Sequence, residues 1–254
     1  MIRTDAAALC GLWRDLGIGQ GEIVLCHSHL PSLGLLQPGP GAVVESLLEA
    51  LGSSGTLVAP TFTYSWFRGE PYDARRSPGT VGLLGELVRT HPRAVRSLDP
   101  CFSNAAIGRD AAELLRRDTP ASFGANSFYD KLLRRGGRIL LIGVDFTALP
   151  LFMHLERINA VPYRYEKRFT GELIVDGRRQ ASELIHFVRD EKIDPQTDRS
   201  RISAALDARP ECRRVRFAYG EHRAMPAAAV AAEVARRLAA EPNFLLKDPE
   251  AQPG

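Results

Sequence analysis

Arg138 to Val144, with the order Arg-Ile-Leu-Leu-Ile-Gly-Val, is the stretch that most constrains this chain. Its apolar residues run on without polar alternation, the pattern of a strand buried on both faces and so of a sheet with helices on either side. At Gly143-Val144 the run drops into a turn, and a short helical segment follows that carries Met153, His154 and Glu156. Ligands of open α/β sheets sit beyond the carboxyl ends of strands, where loops present the reacting side chains. A histidine and a carboxylate in that place are general-base candidates of the kind a transferase needs.

The flanking sequence points to an α/β fold: a central mixed sheet flanked by helices, with a β-rich C-terminal accessory region. Helices are expected at 4–16, 41–51, 81–89, 110–117, 128–135, 201–208 and 226–240, from apolar residues at helical spacing. Strands are expected at 22–26, 55–65, 105–107 and 213–219, and a hairpin over 169–189 turning at 175–177. Two X-Pro steps, His91-Pro92 and Asp99-Pro100, impose an extended path ahead of Ala105. With 254 residues, 44% of them hydrophobic, the chain has length for a sizeable core. It reads as one domain over 1–247 with a flexible tail at 248–254.

Composition removes several function classes. The formal charge of +3 is spread over mixed-sign stretches. Arg116-Arg117, Arg134-Arg135 and Arg213-Arg214 therefore read as solvated helix ends or strand rims, and no nucleic-acid partner is expected. Cys10, Cys26, Cys101 and Cys212 lie far apart with no C-x-x-C pair, which argues against a disulfide framework or a metal site. The first 21 residues have no signal-peptide core, and no window reaches the roughly 18 apolar residues of a membrane span. A cytoplasmic protein without a membrane partner is the expectation.

The first strand empties into His27-Ser28-His29-Leu30-Pro31-Ser32-Leu33-Gly34 and the second into Thr61-Phe62-Thr63-Tyr64-Ser65. Small polar residues and glycine after a strand suit a ligand loop lined by backbone groups, and equally a turn that merely ends a strand. Further motifs follow in order: Gly55-Thr56-Leu57-Val58 with Pro60-Thr61-Phe62, Arg96-Ser97 with Pro100, and the run Phe102 to Gly108. Then come Phe123-Gly124 with Ser127, Leu140 to Val144, and Glu156 with Val161-Pro162-Tyr163. In this order and spacing the motifs resemble the aminoglycoside 3-N-acetyltransferase family, whose fold is distinct from the GNAT acetyltransferases. The likeness covers about half of the chain; past Tyr163 only the general pattern continues.

The resemblance implies an acyl-CoA donor, acetyl-CoA or a relative, and a primary amine acceptor. It places His27, Ser28, His29, Leu30, Ser32, Gly34, Thr61, Phe62 and Ser103 along the pantetheine and pyrophosphate path. The family's central motif is a threonine, a histidine three residues on and a glutamate three residues after that. Here Pro150 falls at the threonine, Met153 at the histidine and Glu156 at the glutamate, with His154 one place late. Asp99 stands where drug-resistance members usually have histidine, which favours a natural aminosugar or other biosynthetic amine as acceptor.

Acyl transfer to an amine requires a group that takes the proton, a nucleophile held at the thioester, and stabilisation of the developing oxyanion. A near-neutral imidazole suits the first task, whereas a methionine thioether does not. His154 or His29 is the expected base, with Glu156 orienting and Asp99 either holding a cationic acceptor or pairing with Arg96. Cys101 is a less favoured nucleophile, and His91, His186 and His222 read as surface groups. The expected activity is acyl-CoA-dependent N-acyl transfer by a monomer or homodimer. The alternatives are an acyl carrier protein as donor, another acyl condensation or ring-forming step, and a non-catalytic pantetheine binder.

Overall fold

The structure, a computed structural model, describes residues 1–190, 192 and 195–247; the tail expected at 248–254 lies outside them. In chain order the elements begin β1 (Arg3–Thr4), α1 (Ala6–Asp15), β2 (Ile23–Ser28), β3 (Leu35–Leu36), α2 (Gly41–Leu51) and β4 (Thr56–Pro60). They continue with β5 (Tyr72–Asp73), α3 (Leu83–Arg89), β6 (Val95–Arg96), β7 (Asn104–Gly108), α4 (Ala111–Leu115) and α5 (Phe128–Arg134). Next come β8 (Arg138–Ile142), α6 (Leu151–Ile158), β9 (Arg164–Val175) and β10 (Arg178–Arg189). The last are α7 (Ser200–Asp207), β11 (Arg213–Phe217), β12 (Gly220–Pro226) and α8 (Ala227–Ala240).

Seven strands form the central sheet in the order β11-β12-β8-β2-β4-β7-β6. β2 runs parallel to both β8 and β4, and the outer pairings are antiparallel. Because side chains alternate across a strand, the unbroken apolar run of β8 serves two cores at once. Leu140 and Ile142 join α1, α2 and α3 on one face, through Leu9, Trp13, Val43, Leu47 and Val88. Ile139 and Leu141 join the opposite core with Leu132 of α5, Leu155 of α6 and Val230 of α8. All four of these β8 side chains are fully buried, as an interior strand covered on both faces must be.

The C-terminal β region divides in two. β9 and β10 form the expected hairpin, in register from Arg178↔Val175 to Arg189↔Arg164, and make a separate sheet with β5. β11 and β12 instead complete the central sheet, β12 lying directly against β8. The sequence reading has no strand at Gly220–Pro226. The segment lacks a clean apolar alternation, and it carries Glu221, His222 and Arg223, whose side chains find their partners only in the folded chain. Arg223 bonds both carboxylate oxygens of Asp207, and Nε2 of His222 donates to the Phe217 carbonyl.

Gly143 ends β8 with φ +63°, a left-handed conformation, and a Cβ there would sit 2.1 Å from Ser32 Oγ. Left-handed strain costs an L-residue roughly 1–2 kcal/mol and overpacking roughly 1–3 kcal/mol, so Gly143→Ala should lose about 3 kcal/mol in urea unfolding. Gly177, at φ +78° in the hairpin turn with open space around its Cβ position, isolates the first contribution, and Gly177→Ala should lose about 1 kcal/mol. Equal losses would remove the close approach of Ser32 from the account.

Candidate active site

The parallel strands β2, β4 and β8 end side by side, and a cleft of about 390 Å³ opens beyond their carboxyl ends. That volume is in the usual range for a small-molecule site. His27 and Ser28 line it from the end of β2, Phe62 and Tyr64 from the chain after β4, and Val144, Pro150 and Met153 from the chain after β8. Gly82, Leu84 and Gly85 at the start of α3 form another wall, Phe102 lies before β7, and Arg199 enters from the segment before α7.

α6 decides which of its side chains reaches this space. Pro150 is the residue immediately before the helix, where its missing N–H costs nothing, and the Met153 amide bonds the Pro150 carbonyl at 2.9 Å. Beyond this tight first turn Leu151–Ile158 is α-helical, and consecutive residues point about 100° apart. Met153 faces the cleft. His154 points into the protein, 1% exposed, where its Nδ1 accepts the Gly124 N–H at 3.0 Å and lies 3.5 Å from Ser127 Oγ. A neutral imidazole has one lone pair, and in His154 the backbone holds it. The expected replacement of the family histidine by His154 is thus not what the geometry offers.

Glu156 is also turned away from the cleft, with no exposed surface. Its Oε1 accepts the Tyr163 hydroxyl at 3.0 Å, and its Oε2 lies 3.0 Å from Arg164 Nε and 4.0 Å from Arg199 Nη2. Burial next to this carboxylate pushes the Tyr163 hydroxyl pKa up. Arg199 donates to the Leu149 carbonyl at 3.2 Å and lies over the Phe152 ring, 5.1 Å from its centroid. Arg199, which lines the cleft, is thus the outermost member of the charge cluster around Glu156.

His27 is 7% exposed and burial lowers its pKa to about 4, so it is neutral at pH 7. Its Nε2 has no hydrogen-bond partner. His29 is exposed and outside the cleft lining; its amide bonds the Ile142 carbonyl at 2.7 Å and ties the end of β2 to β8. Of the expected donor-path residues, His27, Ser28 and Phe62 line the cleft. Leu30 belongs to a core, Ser32 Oγ donates to the His29 carbonyl, and Gly34 packs on the Ile2 carbonyl. Thr61 and Ser103 are fully buried and hydrogen-bonded to each other and to Arg96.

Asp99 closes a turn, its Oδ1 accepting the Cys101 and Phe102 amides, and it lines a separate cavity of about 30 Å³. Arg96 is engaged by Thr61, Ala74, Ser77 and Ser103 rather than by Asp99. Cys101 is fully buried and its thiol pKa is raised by burial, which suits a spectator. His186 and His222 are not surface groups: His186 stacks on Phe102 with centroids 5.1 Å apart, and His222 has no exposed surface. Arg134 and Arg135 are paired with Asp130, Asp110 and Glu113, which leaves little free charge for an acidic carrier. Sequence reasoning missed Arg199, which lies in a charged irregular stretch with no pattern to single it out.

Residues 25–239 match the family described as aminoglycoside 3-N-acetyltransferase. Aminoglycoside N(3)-acetyltransferase VII of Streptomyces paromomycinus is 32% identical over 188 residues, 65% of this chain and 64% of its own length. Aminoglycoside N(3)-acetyltransferase IX of Micromonospora chalcea is 28% identical over 190 residues, 65% of this chain and 66% of its own length. The chain thus spans just under two thirds of the length of these curated relatives. A solved structure of AAC-IIIb in a binary complex with CoASH superposes with a TM-score of 0.85 at 22% identity, covering 93% of this chain and 97% of that one. This last likeness is one of fold.

Two outcomes follow from the buried groups. His27, His154 and His186 are each lowered by burial to about 4, from 6.5. Between those values the unfolded chain binds more protons than the folded one, so stability is fully present above about pH 6.5 and lost as pH falls to 4. Urea midpoints should drop across that window, and a flat profile would contradict neutral burial. Glu156→Ala leaves Arg164 and Arg199 without their carboxylate and should cost about 3–5 kcal/mol. An unfolding free energy unchanged from wild type would remove the charge cluster from the account of the site.

Proposed function

The chain belongs to the aminoglycoside 3-N-acetyltransferase family, and we propose that it is an acyl-CoA-dependent N-acyltransferase that moves an acetyl or related acyl group to an amine of an aminosugar or biosynthetic intermediate. The observation that carries this reading is the cleft beyond β2, β4 and β8, which brings a neutral, unpartnered imidazole, His27, to a space of ligand size. The fold neighbour that binds CoASH supports the choice of donor.

In this reaction the donor thioester lies in the cleft with its pantetheine arm against Ser28 and Phe62. The acceptor nitrogen attacks the thioester carbonyl carbon, the C–N bond forms and the C–S bond breaks. The departing thiolate leaves as the thiol of coenzyme A after gaining a proton. The nitrogen sheds its proton to His27, which is unprotonated at neutral pH; an imidazole lowered to about 4 is a weak base, so it takes the proton only as the C–N bond forms and the nitrogen becomes acidic. Met153 contributes apolar wall at the place where the family resemblance puts a histidine, and Glu156 acts at one remove by positioning Arg199. The base role shifts from His154 and His29 to His27 because His154 has its lone pair engaged and His29 faces away.

Calorimetry with coenzyme A and acetyl-CoA should give micromolar binding, and thiol release should follow on adding a suitable amine. His27→Ala should lower kcat by about 10²–10⁴-fold, the usual contribution of a general base, with coenzyme A affinity retained. Absence of coenzyme A binding would overturn the donor assignment, and an unchanged kcat would remove His27 from the chemistry.

A further inference from the structure

We propose that Arg199 is an anion clamp, and that the acceptor amine carries a carboxylate or phosphate beside the nitrogen that is acylated. This rests on the acyltransferase reading and names its substrate class. Among the described residues Glu156 is the carboxylate of a cluster whose other charged members are the guanidiniums of Arg164 and the partly buried Arg199. The nearer guanidinium, Arg164, lies 3.0 Å from Glu156, whereas Arg199 stands off at 4.0 Å. Among the described residues the cluster keeps one positive charge in excess, and it is Arg199 that lines the cleft.

Arg199 is held and yet under-used. Leu149 and the Phe152 ring fix its plane, but its Nε is buried without a hydrogen-bond partner. A guanidinium has five N–H donors in a rigid fork that suits the two oxygens of a carboxylate or phosphate. With Nη1 bonded to the Leu149 carbonyl and Nη2 4.0 Å from Glu156, the outer N–H groups of the fork keep donors for an anion in the cleft that Arg199 lines. Among the described residues that line the cleft, none is Asp or Glu. A site for a polycation needs carboxylates there, and one cation with no facing carboxylate repels it.

The position bears on acceptor against donor. Arg199 and His27 line one cleft; with His27 as the base, the thioester end of the donor lies in that cleft and the phosphates of coenzyme A are a whole pantetheine arm from the thioester. That assigns the anion at Arg199 to the acceptor.

Calorimetry on paired amines that differ by one acidic group tests this: glucosamine against glucosamine 6-phosphate, and glycinamide against glycine, with kanamycin as a polycation. At least one acidic member should bind ten times or more tighter than its neutral twin and tighter than kanamycin. Arg199→Gln should remove most of that preference and Arg199→Lys only part, with thermal melts confirming that both variants fold and coenzyme A affinity unchanged. Equal binding within both pairs, a preference for kanamycin, or a preference that survives Arg199→Gln overturns the proposal. A fall in coenzyme A affinity in Arg199→Gln, or a preference for succinyl-CoA over acetyl-CoA that depends on Arg199, assigns the anion to the donor and overturns it as well. If the wild-type protein takes no coenzyme A yet keeps an Arg199-dependent preference for the acidic twin, the transferase reading fails and the anion site stands.

Discussion

Glu156 has no exposed surface, and a carboxylate in that setting is tolerable only where partners replace the water it has lost. Tyr163, Arg164 and Arg199 are those partners, and they come from separate parts of the chain: the turn after α6, the start of β9 and the residue that precedes α7. The charge cluster therefore fixes the rotation of α6 about its axis and joins the cleft wall to the hairpin sheet. Once Glu156 points into this cluster, helical geometry determines the rest. Met153 is three residues earlier and reaches the cleft, while His154, one step round, is directed at the Gly124 amide.

A second network holds the opposite wall. Arg96 donates to the Thr61 hydroxyl and carbonyl, to the Ser103 hydroxyl and to carbonyls of the loop before α3. This pins the end of β4 to the entry of β7 and sets where Phe62 and Phe102 stand, with ring centroids 5.1 Å apart. Hydroxyl-rich chain after a strand looks like ligand-binding chain, yet Thr61 and Ser103 use their hydroxyls on each other and on Arg96. Both walls follow one rule: the polar groups nearest the cleft serve largely to satisfy one another, and few are left over.

Much of the frame was legible because it is carried by local periodicity. The unbroken apolar run of β8, the helical spacing of α1 and α2 and the alternating hairpin around Asp176-Gly177 each have a period that only one element satisfies. β12 was not legible, because its buried polar side chains are matched by residues distant in sequence, Asp207 and Val144 for Arg223. His186 went unread for the same reason, since its stack on Phe102 comes from a distant part of the chain; His222 went unread because its partner, the Phe217 carbonyl, faces it only once β11 and β12 pair. The candidate site divides in the same way. The cleft's place beyond the strand ends and the misregister of His154 follow from sequence; the free Nε2 of His27 and the excess charge at Arg199 exist only after folding.

The one-residue offset between Met153 and His154 has a chemical consequence larger than its size. A histidine serves as base through a lone pair, and a neutral ring has only one. In His154 that lone pair accepts a backbone N–H inside the core, so lending it to a substrate would require both breaking that bond and turning the helix about 100°. The charge cluster around Glu156 opposes such a turn, because rotating α6 would draw the carboxylate away from two guanidiniums at once. The same contacts that make the helix rigid thus remove its histidine from the reaction. On the proposed reading proton transfer falls to His27 at the end of β2, and Arg199 is the cation among the described residues lining the cleft. The acceptor proposed for such a site, an amine of lower charge than a polycation, sheds its proton more readily and presents an anion to Arg199.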